Sequence, residues 1–490
     1  MNKDSLKTFI LISLFILSLF LTRKILFNSS NDLFSSLGQD MEYRSNNEEI
    51  MSEIISPKRF LINYSEDTHT MLYSYKEYKL WEHSKEIIKE VFGGGDMKTT
   101  EIDNEEFTKY KSKKSINLEF GEEIPIYILS KILEIDISKD IANNIEKVNQ
   151  IYIRGGNENF IILKNNNKVI KLDNISYESD NISNVLNNIK NSDEYINYWP
   201  ARISLGTESD VYTPYSMPED YVDIIVKNDI SLSIPVEENK KIDKIAEGFF
   251  NKDISYLRKI VDNSGAIIYM YNQKKGLLIY PDGRLEYFDT LEDSVEERNL
   301  YKSLNTAMNF VESKDRWPED VYISSIKEIE SNGNKGYKFE FNYKVNGRTV
   351  FINKNMDNKN SNDILKPIEV EVYNNQVKSY KRFLRDNVVK KLERNYGRER
   401  LNPENVIEQN INIIKEIFIQ KEDIENKLKK ETNIYSEILA SVKNISLGYY
   451  DDTTILYQKS LIDVWIIDIG NTRFVFNSHT GDILNRETIK

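Results

Sequence analysis

The chain opens on a stretch with no polar alternation. Residues 8–22 read TFILISLFILSLFLT without a charge, flanked by Lys3 and Lys7 before and Arg23-Lys24 after. Fifteen residues fall short of the roughly 20 that a bilayer core requires. Ile25-Leu26-Phe27 lengthens the run, with Arg23 and Lys24 snorkelling to the interface. Residues 8–27 are therefore expected to form a single transmembrane signal anchor, with residues 1–7 as a cytoplasmic stub. A cleaved signal peptide is the rival reading, but TRKILFNSSN offers no small-x-small cleavage site. The expected location is the cell membrane, single-pass, with the bulk of the chain extracytoplasmic. The flanking cations alone are nearly tied on orientation. Residues 28–50 are polar and lack a period, as a spacer would.

Beyond the spacer, periods of two and of about 3.6 alternate. Phe60, Ile62 and Tyr64 alternate in KRFLINYSED and lead through a turn into HTMLYSY, a hairpin. LWEHSKEIIKEVF places Trp81, Ile88 and Val91-Phe92 on one helical face. IPIYILSKILEI and SKDIANNIEKV read as further helix, and IYIRGGNENFIILKN as a second hairpin. These elements make an N-terminal α+β domain over 51–175. Residues 176–290 form a central domain whose IIYMY, LLIY and LEY runs predict a three-stranded meander, turned at Pro281-Asp282-Gly283.

From residue 291 a plan of helix followed by antiparallel strands occurs twice, over 291–385 and 386–490. In the first unit EERNLYKSLNTAMNFVES is the helix. The clearest strand has Tyr337, Phe339, Phe341, Tyr343 and Val345 alternating with polar residues, and it ends at an Asn346-Gly347 hairpin turn. In the second, Asn402 caps a helix with Pro403 at its first position, and Ile407, Ile411, Ile414 and Phe418 stripe one face. The expected fold is α+β: one N-terminal transmembrane helix, then several antiparallel-sheet domains, the last two a tandem repeat of helix plus sheet.

Composition narrows the function. The 490 residues carry 66 cations and 78 anions, a net charge of −12, which disfavours binding nucleic acid. Cysteine is absent, which excludes disulfides, Fe–S clusters, thiolate zinc and a cysteine nucleophile. His69, His83 and His479 share no metal-ligand spacing. Gly93–Gly95 lacks the Lys-Ser/Thr of a phosphate loop. Asp357, Lys359, Ser361 and Asp363 space like a calcium loop, but a lysine stands where an oxygen ligand is needed. Asp451-Asp452 falls in a turn, and no nucleophile elbow is present. No catalytic, cofactor or metal site is expected. Tyr198-Trp199-Pro200 is a candidate exposed aromatic contact, with core packing at a domain junction as its plainer role.

FFNKDISYLRKIVDNSGAIIYMYNQKKGLLIYPDGRLEY resembles the central region of the YycH family. SPKRFLINYSEDTHTMLYSYKEYKLW is similar to that family's opening block after its anchor, and FVFNSHTGDILN to its tail domain. The resemblance covers most of the chain. It implies a non-enzymatic, Gram-positive two-component system regulator of cell wall homeostasis, which binds and modulates a WalK-type sensor histidine kinase beside a YycI-like partner. The anchor would supply the partner face: Ile10, Ser13, Leu14, Leu17 and Leu21 share one side of the helix, with Ser13 as the small polar position. An extracytoplasmic binding module for a wall polymer or peptide is the alternative.

Overall fold

The computed structural model describes residues 49–489 except 74–77, 95–96, 157, 193–194, 218–221, 228–235, 264, 319, 354–363, 392–398, 422–433 and 453–457. The anchor at 8–27, with its five-residue face, and the calcium-like spacing at 357–363 lie outside these residues. Among the described residues no helix is long and apolar enough to cross a membrane. The chain divides into Met1–Met51 and Ser52–Lys490, and the fold below is that of the second unit.

In chain order the N-terminal half runs β1 (Arg59–Ser65), β2 (Thr68–Leu72), α1 (Leu80–Phe92), β3 (Lys98–Ile102), α2 (Asn104–Tyr110) and β4 (Ser115–Pro125). It continues with α3 (Ile126–Ile132), α4 (Lys139–Asn144), β5 (Lys147–Arg154), β6 (Ile161–Lys164), β7 (Val169–Asp173) and α5 (Ser179–Lys190). Last come β8 (Tyr198–Pro200), α6 (Ala201–Ser204) and β9 (Tyr212–Pro214). The strands form one antiparallel nine-stranded sheet in the order β3-β7-β6-β5-β4-β1-β2-β8-β9. It runs past residue 175, because β2 picks up β8 through His69 opposite Tyr198. α1 spans the residues its period predicts, burying Leu80, Trp81, Ser84, Ile87, Ile88, Val91 and Phe92. The helical reading of IEKV gives way: Ile145 is already extended, and β5 begins at Lys147.

The C-terminal half runs β10 (Val222–Lys227), α7 (Val236–Phe250), β11 (Arg258–Val261), β12 (Ile267–Tyr271), β13 (Lys275–Ile279), β14 (Arg284–Phe288) and α8 (Leu300–Asp315). Then follow β15 (Val321–Ser331), β16 (Asn334–Val345), β17 (Arg348–Asn353), β18 (Ile364–Leu365), β19 (Ile368–Tyr373), β20 (Gln376–Phe383) and β21 (Asp386–Lys391). The chain closes with α9 (Pro403–Gln409), α10 (Ile411–Lys421), α11 (Ile434–Ala440), β22 (Val442–Asp451), β23 (Gln458–Ser460), β24 (Ile462–Ile469), β25 (Thr472–Asn477) and β26 (Ile483–Thr488).

Fourteen of these strands share one sheet, from β11 at one end to β26 at the other. The meander has four strands, because β11 joins it with all four residues exposed and so without an alternation to betray it. Helix precedes strands in each C-terminal stretch, but the two stretches are not separate antiparallel sheets: β17 pairs with β22 in parallel, Val350 opposite Tyr449, fusing them. Asn346 and Gly347 both take positive φ in the β16–β17 turn, the twist a two-residue hairpin needs. The striped helix is two helices. Asn410 breaks it, its side-chain amide donating to the Val406 and Gly481 carbonyls at 2.9 and 2.7 Å.

α7 and α8 are joined to the sheet by rings. Phe249 meets Tyr287 and Phe310 with centroids 5.6 and 6.2 Å apart, and Phe310 meets Tyr380 at 5.5 Å. Under α9–α11 lies a second core of Val406, Ile407, Ile414, Ile438, Trp465, Ile467 and Phe474, to which Ala201, Leu205 and Val211 of the N-terminal half contribute.

Candidate functional site

The alternation along β16 predicts that its polar residues face solvent. They do not: Glu340, Asn342 and Lys344 are only 4, 8 and 6% exposed. The N-terminal sheet covers them. At Gly121 on β4 the backbone approaches so closely that a Cβ would lie 2.5 Å from the Tyr322 ring and 3.2 Å from the Ile323 carbonyl. Irregular register flanks the contact on both sides, between Glu119 and Ile124 in β4 and between Ile323 and Ser325 in β15.

Glu340, Asn342 and Lys344 each have partners in this seam. Lys327 and Lys338 hold Glu340 at 2.8 and 3.5 Å. Asn342 donates to the Tyr322 hydroxyl at 3.3 Å, which sits 3.0 Å from Thr349 Oγ1. Lys344 donates to the Pro57 carbonyl at 3.4 Å and stands over the Tyr322 ring at 4.8 Å. Arg59 on β1 donates to Glu119 Oε2 at 2.5 Å and to Asn444 Oδ1 on β22 at 2.9 Å, tying the two sheets together. Tyr73 accepts from the Leu447 amide at 3.2 Å. Arg473 grips Asp468 through two nitrogens at 2.8 and 3.0 Å and reaches Glu487 at 3.0 Å.

The electrostatics follow. Burial would raise the Glu119 carboxyl, but the Arg59 and Lys111 charges outweigh it and hold it below the usual range. Burial, aided by the Arg473 and Arg59 charges, brings the Lys58 amine down to about 7 against the pull of Asp468 and Glu119. The ion pairs lie within each sheet, and hydrogen bonds from Arg59, Lys344 and Leu447 cross between them. The seam's carboxylates are engaged by arginine and lysine, which suits fixing two sheets in one register rather than proton transfer.

The other sequence candidates scatter. Tyr198, a candidate exposed contact whose plainer role is core packing, is buried with Leu61, Met71 and Tyr212, because strand alternation turns it inward. Trp199 turns the other way and stacks on the exposed Tyr215 with ring centroids 4.8 Å apart. The His69 ring nitrogens lie 2.8 Å from Asn63 Oδ1 and 2.9 Å from the Glu66 carbonyl, and burial lowers its pKa, so it serves the β1–β2 turn. His479 stands 3.2 Å from the Glu399 carbonyl, and His83 sits on α1. Asp451 ends β22 and accepts from Arg385 at 3.2 Å. Gly93 caps α1, its amide bonded to the Lys89 carbonyl. Among the described residues no three histidine, aspartate or glutamate side chains group to hold a metal.

Comparison with known proteins bears on these observations. Residues 4–192 match the family model for the YycH protein, N-terminal domain. The crystal structure of YycH from Bacillus subtilis aligns at a TM-score of 0.50 with 15% identity, covering 89% of this chain and 96% of that one. A protein from Eubacterium rectale aligns at a TM-score of 0.34 with 11% identity, covering 57% of this chain and 91% of that one. The Bacillus megaterium YpeB C-terminal domain aligns at 0.25 with 13% identity, covering 52% and 98%. No curated protein matches the sequence.

Proposed function

Because the chain belongs to the YycH family, through the domain at residues 4–192 and through its fold, we propose that it is a non-enzymatic regulator of a WalK-type sensor histidine kinase. In this reading residues 8–27 anchor it in the membrane, and the chain from Ser52 onward lies outside the cell and binds the kinase with a YycI-like partner. The match over 4–192 carries the reading, since it takes in both the apolar run and strands β1–β7 of the first sheet.

The mechanism is linkage. A regulator that binds one signalling state of the kinase better than another shifts the population by its differential affinity. A coupling of about 1–3 kcal/mol changes the balance roughly 5–150-fold. Ser13 and its neighbours on the anchor would admit a kinase helix at close approach. The seam supports this use, because its hydrogen bonds from Arg59, Lys344 and Leu447 tie the sheets of the outer part to each other.

The test is crosslinking in native membranes with mass spectrometry, comparing the full chain with a secreted form lacking residues 1–28. Capture of a sensor histidine kinase that depends on the anchor is the expected result; absence of a kinase with both forms defeats the reading. One observation favours a wall-polymer module instead: Tyr215 lies exposed on Trp199, a flat platform of the kind sugar rings stack on. Retention of the chain on purified wall polymer, lost in Tyr215→Ala, would favour that module.

A further inference from the structure

The fourteen-stranded sheet ends at β11, and that end is unguarded. Its four residues, Arg258-Lys259-Ile260-Val261, are all exposed, Val261 at 65%, and Tyr256 just before them is 72% exposed. No proline or bulge interrupts the strand, devices that natural edges use to refuse a partner. The Asp262 amide bonds the Ala266 carbonyl at 2.8 Å. That bond sets the ladder's parity: residues 258, 260 and 262 turn their backbone groups to β12, and Lys259 and Val261 turn theirs outward.

The surface beside this edge is apolar. Ile260, Ile268 and Leu278 lie in register across β11, β12 and β13, and Met270 and Phe288 meet at Gly276, where a Cβ would overlap the Phe288 ring. Farther along the same face the next strands carry Glu286, Lys381 and Glu369 in register, a charged surface suited to water. The edge is also locally basic in an acidic chain. Residues 251–280 hold five cations against two anions, in a protein of net charge −12. Lys259 is held by Asp243 at 2.7 Å, whereas Arg258 makes no ion pair among the described residues.

We infer that β11 is a docking edge for an extended segment of another protein, added as a further antiparallel strand, in which two apolar residues are followed by two acidic ones. The order comes from the strand itself. Each face of β11 carries one cation and one aliphatic residue: Arg258 with Ile260, and Lys259 with Val261. An antiparallel partner read from its own N-terminus meets Val261 and Ile260 first, then Lys259 and Arg258. The outward backbone groups of Lys259 and Val261 supply affinity, and the side chains opposite them supply the choice. This deepens the regulator reading and rests on it only for where the partner resides. The experiment below uses no kinase, so its failure removes the edge and leaves the crosslinking outcome standing, and the reverse also holds.

The probes are two synthetic peptides, acetyl-Thr-Thr-Val-Ile-Glu-Glu-Thr-Thr-amide and its reversed-order counterpart, added to the full-length protein in detergent. Hydrogen exchange is followed at the Lys259 and Val261 amides. The forward peptide should slow both by about tenfold, and the effect should fade with salt. Arg258→Glu should abolish most of the slowing, as should Val261→Pro, which removes an outward amide and spares the ladder to β12. Retained exchange protection in β12 shows that both variants are folded. Equal slowing by the two peptides, no slowing by either, or slowing unchanged in both variants overturns the proposal. So does protection of β11 that rises with protein concentration alone, which would assign the edge to a second copy of this chain.

Discussion

Replacing Glu119 with leucine would leave the Arg59 guanidinium in the seam without its anion. Removing one partner of a well-buried pair costs about 3–5 kcal/mol, while a surface pair is worth about 0–1. The pair here lies between those limits: the two side chains are 17 and 15% exposed, and Arg59 retains its bond to Asn444 at 2.9 Å. The expected loss is therefore about 2–3 kcal/mol. With a urea slope of about 3 kcal/mol/M, the midpoint falls by about 0.7–1 M. The companion double variant, Arg59→Met with Glu119→Leu, removes both charges and should return to within about 1 kcal/mol of the parent, since apolar groups of similar volume often replace a buried pair at little cost. Equilibrium urea unfolding followed by tryptophan fluorescence reads both. A single variant within about 0.5 kcal/mol of the parent, or a double variant as unstable as the single, would refute the view of the seam as a buried electrostatic joint.

Lys58 gives a pH signature. Its folded pKa of about 7 lies below the ordinary lysine value near 10.4, so the unfolded chain binds more protons between the two and stability from this group rises with pH across that window. The penalty is fully present below about 7, and Lys58→Met should flatten the difference in urea midpoint measured from pH 6.5 to 9. Gly121→Val forces a side chain into the Tyr322 ring and the Ile323 carbonyl, and should cost about 1–3 kcal/mol in the same assay, with exchange accelerated in β4 and β15.

What the sequence made legible was local. α1 and the β16 hairpin follow from period and turn chemistry that the residues themselves carry, and the aromatic side of β16, Phe339 and Phe341 among it, is buried as the alternation requires. The opposite side misleads, because nothing near Glu340 or Lys344 records that β4 and Pro57 will come to rest on them. Arg59 finds Glu119 sixty residues away and Asn444 at 385, and a period of two assigns faces without naming neighbours. Asn410 looks like one more polar position in a helical stripe until Gly481 supplies its second acceptor. β11 was invisible for the opposite reason: an edge with no buried side has no pattern to show.

The parallel join of β17 to β22 also constrains how the chain is made. Arg348–Asn353 leaves its hairpin with β16 as a sheet margin, and its neighbour does not exist until Val442–Asp451 has been synthesised. During the intervening stretch of about 90 residues the aromatic strands already carry an incomplete ladder, and closing so long a loop makes this pairing a slow one. A chain that stops short of β22 would present an adhesive margin with nothing to cover it. Truncation at the C-terminus should therefore be read out first as aggregation during production, before any loss of stability in the part that remains.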